Sequence, residues 1–120
     1  MKRVLFVDDD SRVLDGLERM LHPWRDRWEL RFVRGGRNAL AALRTAPADL
    51  VISNLWMPEM SGAELLENVR REWPASGRVM LSGSSDRESS SDAVDVAQLW
   101  LCKPCGADAL RTAIETLLED

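Results

Sequence analysis

Five polar residues that could bind a metal ion and a phosphoryl group each follow a short apolar run: Asp8, Asp9, Asn54, Ser82 and Lys103. Carboxylates are the ligands that a hard divalent cation prefers. A hydroxyl group and an ammonium group can both bond to phosphoryl oxygens. The set therefore indicates a site for a divalent cation and a phosphoryl group, in which Asn54 contributes an uncharged amide.

The apolar runs predict five strands: Val4–Val7, Trp28–Val33, Leu50–Ser53, Arg78–Leu81 and Leu99–Cys102. Residues at helical spacing predict helices between and after them: one from Ser11 to before Pro23, then Asn38–Thr45, Ala63–Trp73, Asp86–Ala97 (the weakest pattern) and Ala107–Leu118. Strands that alternate with helices indicate an α/β protein with a parallel sheet, and right-handed crossovers place helices on both faces. The second strand alternates apolar and polar residues, which is typical of an edge strand.

The five polar residues all stand at carboxyl ends of predicted strands. In a parallel sheet these ends meet along one edge, where open α/β sheets bind their ligands. We therefore expect the five side chains to lie close together. Each residue also has an ordinary interpretation when taken alone: Asp10 or Ser11 as a helix cap after the acidic pair, Ser82 as a strand terminator, and Lys103 as a surface lysine.

Size and composition favour a single globular domain. The chain has 120 residues, of which 45% are hydrophobic and 30% are charged. A net charge of −4 argues against direct binding to nucleic acid, which requires a basic surface. No apolar run approaches the roughly 18 residues that a membrane-spanning helix needs. Two cysteines and no export signal predict a cytoplasmic location.

Four motifs in this order carry a resemblance that extends over essentially the whole chain: Val7-Asp8-Asp9, Asn54–Gly62, Ser82-Gly83 and Lys103-Pro104. The chain resembles the receiver domain of a bacterial two-component response regulator. The resemblance implies one receiver domain over residues 1–120. It also implies a flavodoxin-like, doubly wound, five-stranded parallel sheet in the order 2-1-3-4-5.

The resemblance also implies roles for the polar residues. Asn54 matches the aspartate that accepts a phosphoryl group from a histidine kinase. Asp8, Asp9 and the main-chain carbonyl of Trp56 match the ligands of Mg²⁺, to which position 54 also contributes.

Three further matches lie near the end of the sheet. Ser82 and Lys103 match the residues that bind the phosphoryl group. The bond between Lys103 and Pro104 is typically cis in this family. Trp100 matches an aromatic switch position, although it could also be a plain core residue. From its alternation with Leu99 and Leu101, its side chain is expected on the opposite face of the sheet from theirs.

Asn54 is the one departure from the family pattern. An amide is a poor nucleophile and cannot form the acyl phosphate. Its lack of charge should also weaken Mg²⁺ binding. We therefore predict a chain that accepts no phosphoryl group at this position and favours one conformation. Asn54 could be an engineered block on phosphorylation or a feature of a natural pseudo-receiver. The near-isosteric change and the intact remaining motif favour engineering.

The resemblance implies a signalling module rather than an enzyme. Its partners would be a sensor histidine kinase or a phosphotransfer protein, together with an output domain or an effector protein, and a homodimer stays open. The alternative function is that of a pseudo-receiver that acts by protein contacts alone.

Cys102-Lys-Pro-Cys105 offers a remote alternative, because the C-x-x-C spacing is that of thiol–disulfide oxidoreductases. Only one predicted helix follows this motif, whereas a thioredoxin-like fold needs further strands after it.

Overall fold

The computed structural model describes residues 1–83 and 96–118. Within these residues, five strands are formed: β1 (Arg3–Asp8), β2 (Glu29–Arg34), β3 (Leu50–Asn54), β4 (Gly77–Ser82) and β5 (Leu99–Cys102). The helices described are α1 (Ser11–Leu21), α2 (Gly36–Thr45), α3 (Gly62–Glu72) and α4 (Ala107–Leu118), with a short 3₁₀ helix at His22–Trp24. No helix among them is both long and apolar enough to cross a membrane.

The five strands form one parallel sheet in the order β2-β1-β3-β4-β5. The flavodoxin-like α/β fold is thereby confirmed, with β2 at an edge as its alternating pattern predicted. Strands β1 and β3 lie at the centre, and Val4–Val7 and Leu50–Ser53 are buried throughout. Continuous apolar runs suit this position, because helices cover both faces of a central parallel strand.

Successive residues of each central strand point to opposite faces, so the sheet is sandwiched between two hydrophobic cores. On one face, Leu5 and Val7 pack with buried residues of α2 and α3. On the other face, Val4 and Phe6 pack with buried residues of α1 and α4. This double layer fixes the strands and holds their carboxyl ends along one edge.

Local capping explains where the helices begin near that edge. The Asp10 side chain accepts a hydrogen bond from the Arg12 N–H and caps α1. Helix α3 begins with a capping box, in which the Ser61 hydroxyl accepts from the Glu64 N–H and the Glu64 carboxylate accepts from the Ser61 N–H. The loops that precede both helices contain the polar residues of interest.

Several predicted bounds differ from the structure. Strand β2 begins at Glu29 rather than Trp28, which is buried just before it. Helix α2 begins at Gly36, two residues before the predicted start, because Gly35 adopts a positive φ of 80° and serves as its N-cap. Helix α3 covers Gly62–Glu72 rather than Ala63–Trp73. The predicted helix Asp86–Ala97 falls, for residues 86–95, outside the described residues.

Candidate functional site

The acidic pair lies where β1 ends, and its first member is almost completely buried. Asp8 is 3% exposed. Its Oδ1 accepts a hydrogen bond of 3.0 Å from the Asp10 N–H, and its Oδ2 lies 3.6 Å from Lys103 Nζ. Burial raises the pKa of Asp8, while the Asp10 N–H and the Lys103 charge act in the opposite direction. The carboxylate therefore depends on its neighbours to remain charged.

The end of the edge strand β2 donates hydrogen bonds to the main-chain carbonyls of the acidic pair. The carbonyl oxygen of Asp9 accepts hydrogen bonds from Arg34 Nε at 3.2 Å and Nη2 at 3.1 Å. The Gly35 N–H donates to the Asp8 carbonyl at 3.1 Å. These three bonds tie the main chain of the acidic pair to β2 and to the residue that follows it. Asp9 faces an open cleft of about 520 Å³ that Arg34, Glu59 and Met60 also line.

Asn54, the last residue of β3, bonds through both ends of its amide. Its Oδ1 accepts a 2.6 Å hydrogen bond from Lys103 Nζ, and its Nδ2 donates a 2.7 Å hydrogen bond to the Trp56 carbonyl. The two partners fix the orientation of the amide, because an ammonium group can only donate and a carbonyl can only accept. The Trp56 side chain itself is exposed.

The turn after β3 brings α3 directly against Asn54. A Cβ atom on Gly62 would lie 2.1 Å from the Asn54 carbonyl oxygen, so only glycine fits at this position. The Gly62 N–H donates to the Leu55 carbonyl at 2.7 Å, which closes the turn, and Glu59 within it has a positive φ of 68°. The close approach fixes the main chain at Asn54.

Strands β4 and β5 supply the remaining two polar residues. Ser82 is 4% exposed at the end of β4, opposite Cys102 in the strand register. Its carbonyl accepts a 2.8 Å hydrogen bond from the Lys103 N–H. The peptide bond between Lys103 and Pro104 is cis. The main-chain bond places Lys103 beside β4, and its side chain reaches across β4 to Asn54 on β3.

Trp100 lies away from this cluster, in the middle of β5. It packs against the core beneath α2 and α3, whereas Leu99 and Leu101 pack on the opposite face. The alternation predicted for these three residues is confirmed. Its role as a switch residue stays a prediction.

The structure thus joins Asp8, Lys103, Asn54 and the Trp56 carbonyl in one network of direct contacts. Asp9 follows β1 and Ser82 ends β4, at the same edge of the sheet. The sequence did not identify Arg34, which binds the Asp9 main chain. The signal that could have found it is the same one that found the others, namely a polar residue at the carboxyl end of a strand. Arg34 directly follows the predicted second strand, as the other site residues follow theirs.

The donor atoms fit a magnesium ion only in part. Asp8, Asp9 and the Trp56 carbonyl present oxygen atoms, which a hard cation prefers. The Asn54 Nδ2, however, directs a hydrogen-bond donor at the Trp56 carbonyl. Within residues 1–83 and 96–118, no group of three or more His, Cys, Asp or Glu side chains is placed to hold a metal ion. In this arrangement the Asn54 donor occupies the Trp56 carbonyl, so the site fits Mg²⁺ less well than its oxygen atoms alone would.

The family model described as "response regulator receiver domain" matches residues 4–115. This chain belongs to the response regulator receiver domain family. Receiver domains are signalling modules of two-component systems that generally bind Mg²⁺, and they interact with histidine kinases or phosphotransfer proteins. The match includes every polar residue of the network described above.

Among curated relatives, the hydrogenase transcriptional regulatory protein HoxA of Cupriavidus necator is 30% identical over 118 residues, which cover 97% of this receiver domain and 24% of HoxA. The transcriptional regulatory protein MctR of Rhizobium johnstonii is 33% identical over 117 residues, which cover 96% of this chain and 54% of MctR. The receiver domain thus spans only about a quarter to a half of the length of these relatives.

Solved structures share the whole fold. The chemotaxis response regulator CheY4 of Vibrio cholerae is 29% identical with a TM-score of 0.86, and the alignment covers 98% of this chain and 99% of CheY4. The response regulator TrrA of Thermotoga maritima, solved in complex with Mg²⁺ and BeF, is 27% identical with a TM-score of 0.86. That alignment covers 98% of this chain and 100% of TrrA.

Proposed function

We propose that residues 1–120 form a single receiver domain of a cytoplasmic two-component pathway. Its partners are a sensor histidine kinase or phosphotransfer protein and an output domain or effector protein. Two of its relatives are transcriptional regulators that extend well beyond the matched region, which supports an output domain or effector. The net charge of −4 supports an output through protein contacts rather than through direct binding to nucleic acid.

Asn54 occupies the phosphoacceptor position, and the domain accepts no phosphoryl group there. The observation that carries this proposal is the double hydrogen bond of the Asn54 amide to Lys103 Nζ and the Trp56 carbonyl. The amide nitrogen is a poor nucleophile because its lone pair is delocalised into the carbonyl, and Oδ1 is held by the lysine. Neither atom is available to attack a phosphoryl group.

The same network lowers the affinity for Mg²⁺. A bound cation would neutralise charge on a phosphoryl group. In this chain, the N–H of Asn54 Nδ2 already satisfies the Trp56 carbonyl, and Lys103 Nζ supplies a positive charge beside Asp8. The domain thus satisfies these polar groups with its own atoms.

The second candidate function is that of a natural pseudo-receiver which acts only by protein contacts. The hydrogen bonds of Asn54 with Lys103 and the Trp56 carbonyl favour this function. A domain whose pocket residues already bond to one another needs no phosphoryl group to reach one preferred conformation. An engineered block would have the same network but would have lost a response that the natural domain possessed. The two origins differ in whether the pocket can still accept a phosphoryl group once position 54 is an aspartate again.

An oxidoreductase function through Cys102 and Cys105 has little support. Burial, aided by the neighbouring Cys102, raises the pKa of the Cys105 thiol. The nucleophile of a redox-active C-x-x-C motif is its first cysteine, so the pKa of Cys105 does not bear on it. The match of the receiver family over residues 4–115 leaves thiol–disulfide catalysis outside the proposed function.

Phosphorylation of two chains tests the proposal. The unaltered chain and the variant Asn54→Asp are incubated with acetyl phosphate and Mg²⁺, and intact masses are compared. We expect only the variant to gain the mass of one phosphoryl group, which would show that Asn54 is the single block in a working pocket. If neither chain gains it, the working pocket is contradicted and the pseudo-receiver function is favoured. Phosphorylation of the unaltered chain at Asn54 would overturn both.

A further inference from the structure

Arg34 is an exposed residue whose side chain is turned back onto the loop that follows β1. Its Nε and Nη2 both donate to the carbonyl oxygen of Asp9, at 3.2 Å and 3.1 Å. A guanidinium group is planar and presents its donors in a fixed fork. The double contact therefore restricts the direction of the Asp9 carbonyl as well as its distance.

The main chain of Arg34 is held by two neighbouring elements. Arg34 lies opposite Asp8 in the register of β1 and β2. The Asn38 Nδ2, in the first turn of α2, donates to the Arg34 carbonyl at 2.8 Å, and the Gly35 N–H donates to the Asp8 carbonyl at 3.1 Å. Because the guanidinium extends from a main chain that β1 and α2 both hold, it can fix the loop after β1.

The peptide group between Asp9 and Asp10 connects Arg34 to the Asp8 carboxylate. Its oxygen accepts from Arg34, and its N–H, which belongs to Asp10, donates to Asp8 Oδ1 at 3.0 Å. A peptide group is planar, and in the trans form its oxygen and its N–H point in opposite directions. A restraint on the oxygen therefore also directs the N–H at Asp8. Asp8 Oδ2 in turn lies 3.6 Å from Lys103 Nζ.

We propose that Arg34 is a positioning residue which, through the peptide group between Asp9 and Asp10, holds the Asp8 carboxylate in place beside Lys103. Asp8 is a predicted ligand of Mg²⁺, and groups that orient a metal ligand from behind raise the affinity for the metal. Loss of Arg34 should therefore weaken cation binding, even though it removes a positive charge that repels the ion. Only this effect on the cation rests on the proposed function.

The amide signal of Asp10 tests the positioning in metal-free buffer. We expect Arg34→Met to shift this signal and to speed its hydrogen exchange at least about fivefold, while Val4 in the buried part of β1 keeps its protection. The variant Arg34→Lys, which keeps the charge and one donor group, should recover part of the protection. An unchanged Asp10 signal in Arg34→Met, or equal losses of protection at Val4 and Asp10, would overturn the proposal.

The variant Arg37→Met is the matched control for charge. Arg37 lines the same cleft, and its guanidinium is 3.9 Å from the Glu59 carboxylate on the exposed surface. The change removes the same charge as Arg34→Met but leaves the contact with the Asp9 carbonyl in place. We therefore expect the Asp10 amide of Arg37→Met to exchange as in the unaltered chain. Faster exchange of equal size in both variants would overturn the proposal.

Titration with Mg²⁺ tests the effect on the cation, with Asn54→Asp as the parent chain. Addition of Arg34→Met should weaken binding at least about threefold, whereas addition of Arg37→Met should leave it equal or tighter. Tighter binding in both double variants would show an effect of charge alone and would overturn the effect on the cation. Failure of Asn54→Asp itself to bind Mg²⁺ would contradict the proposed function and overturn this effect with it. The Asp10 signals decide the positioning of Asp8 independently of that result.

Discussion

Two buried polar side chains at the amino end of the sheet, Ser76 and Arg78, bond different partners from those in the network of Asp8, Asn54 and Lys103 at its carboxyl end. At the amino end, Ser76 Oγ donates to the Ala48 carbonyl at 2.6 Å. The buried Arg78 donates to the carbonyls of Val96 at 2.8 Å and Ser76 at 3.0 Å. These side chains are used to satisfy main-chain carbonyls, so the amino end is a structural network.

At the carboxyl end, side chains bond to one another. Lys103 joins Asp8 and Asn54, and the network stands beside the open cleft that Asp9 lines. Charged side chains that meet each other at an accessible edge can exchange partners with a ligand, whereas main-chain carbonyls held by buried donors cannot. The comparison shows that a ligand can bind where polar side chains are able to change their hydrogen-bond partners. The number of buried polar groups alone does not identify such a site.

The largest effect on stability is expected at the turn beside Asn54. The variant Gly62→Ala places a methyl group 2.1 Å from the Asn54 carbonyl oxygen. Overpacking against main chain should lower the free energy of unfolding by about 3 kcal/mol. Urea denaturation measures this change. The control Gly106→Ala meets no atom within 4 Å and should lose far less stability. Equal losses in both variants would contradict the close packing.

A smaller loss is expected at the amino end from Arg78→Met. Removal of the guanidinium leaves the carbonyls of Val96 and Ser76 without their donor, which should cost about 2 kcal/mol. Urea denaturation measures the loss, and the Asn54 side-chain NMR signals should stay unchanged. The exposed Arg71, changed to Met as a control, should lose no more than about 0.5 kcal/mol. Shifted Asn54 signals in Arg78→Met would show that the two ends are not independent.

The variant Lys103→Met, at the carboxyl end, is expected to lose little stability and to change the NMR signals of the site. The lysine side chain is 37% exposed, so the free energy of unfolding should fall by less than about 1 kcal/mol. The Asn54 side-chain amide signals should nevertheless shift clearly, because Oδ1 loses its only described donor among residues 1–83 and 96–118. NMR of the folded variant measures the shift. Unchanged signals would contradict the hydrogen bond between Lys103 and Asn54.

The smallest effect is expected from Asp8→Asn, and it should depend on pH. Burial raises the pKa of folded Asp8, so the fold favours its neutral form. The stability that this form contributes is present at low pH and is lost as the pH rises through the raised pKa. An asparagine stays neutral, so in metal-free buffer the variant should be slightly more stable at pH 7. The gain should vanish below the ordinary pKa of an aspartate.

Denaturation at several pH values measures this gain. The variant Asp15→Asn, on the exposed surface of α1, is the matched control for the same change of side chain outside the network. A variant of Asp8 that is less stable at pH 7 would show that the pair with Lys103 outweighs the cost of burial.

The sequence was sufficient to predict which polar residues would lie along one edge of the sheet. The ends of strands can be read from apolar runs, and a parallel sheet then brings Asp8, Asn54, Ser82 and Lys103 to one edge. The bounds of β5 and α4 were also predicted correctly. These features depend on short-range patterns and on a topology with few alternatives.

The hydrogen bonds within the site could not be predicted in the same way. That Asn54 Nδ2 meets the Trp56 carbonyl depends on the path of the turn, which the close contact at Gly62 determines. The bonds from Arg34 to the Asp9 carbonyl depend on where an edge strand ends and on one side-chain conformation. Such details follow from atomic packing, which residue types and spacing do not specify.

The central claim is that the amide of Asn54 takes the place of a cation beside Trp56. In Asn54→Asp, an oxygen atom would face the Trp56 carbonyl oxygen, and the two would repel each other without a cation between them. Calorimetric titration with Mg²⁺ of both chains tests this claim most directly. The unaltered chain should bind Mg²⁺ at least about tenfold more weakly than Asn54→Asp, because one unit charge beside the ion contributes more than about 1.4 kcal/mol. Equal affinity of the two chains for Mg²⁺ would contradict the claim.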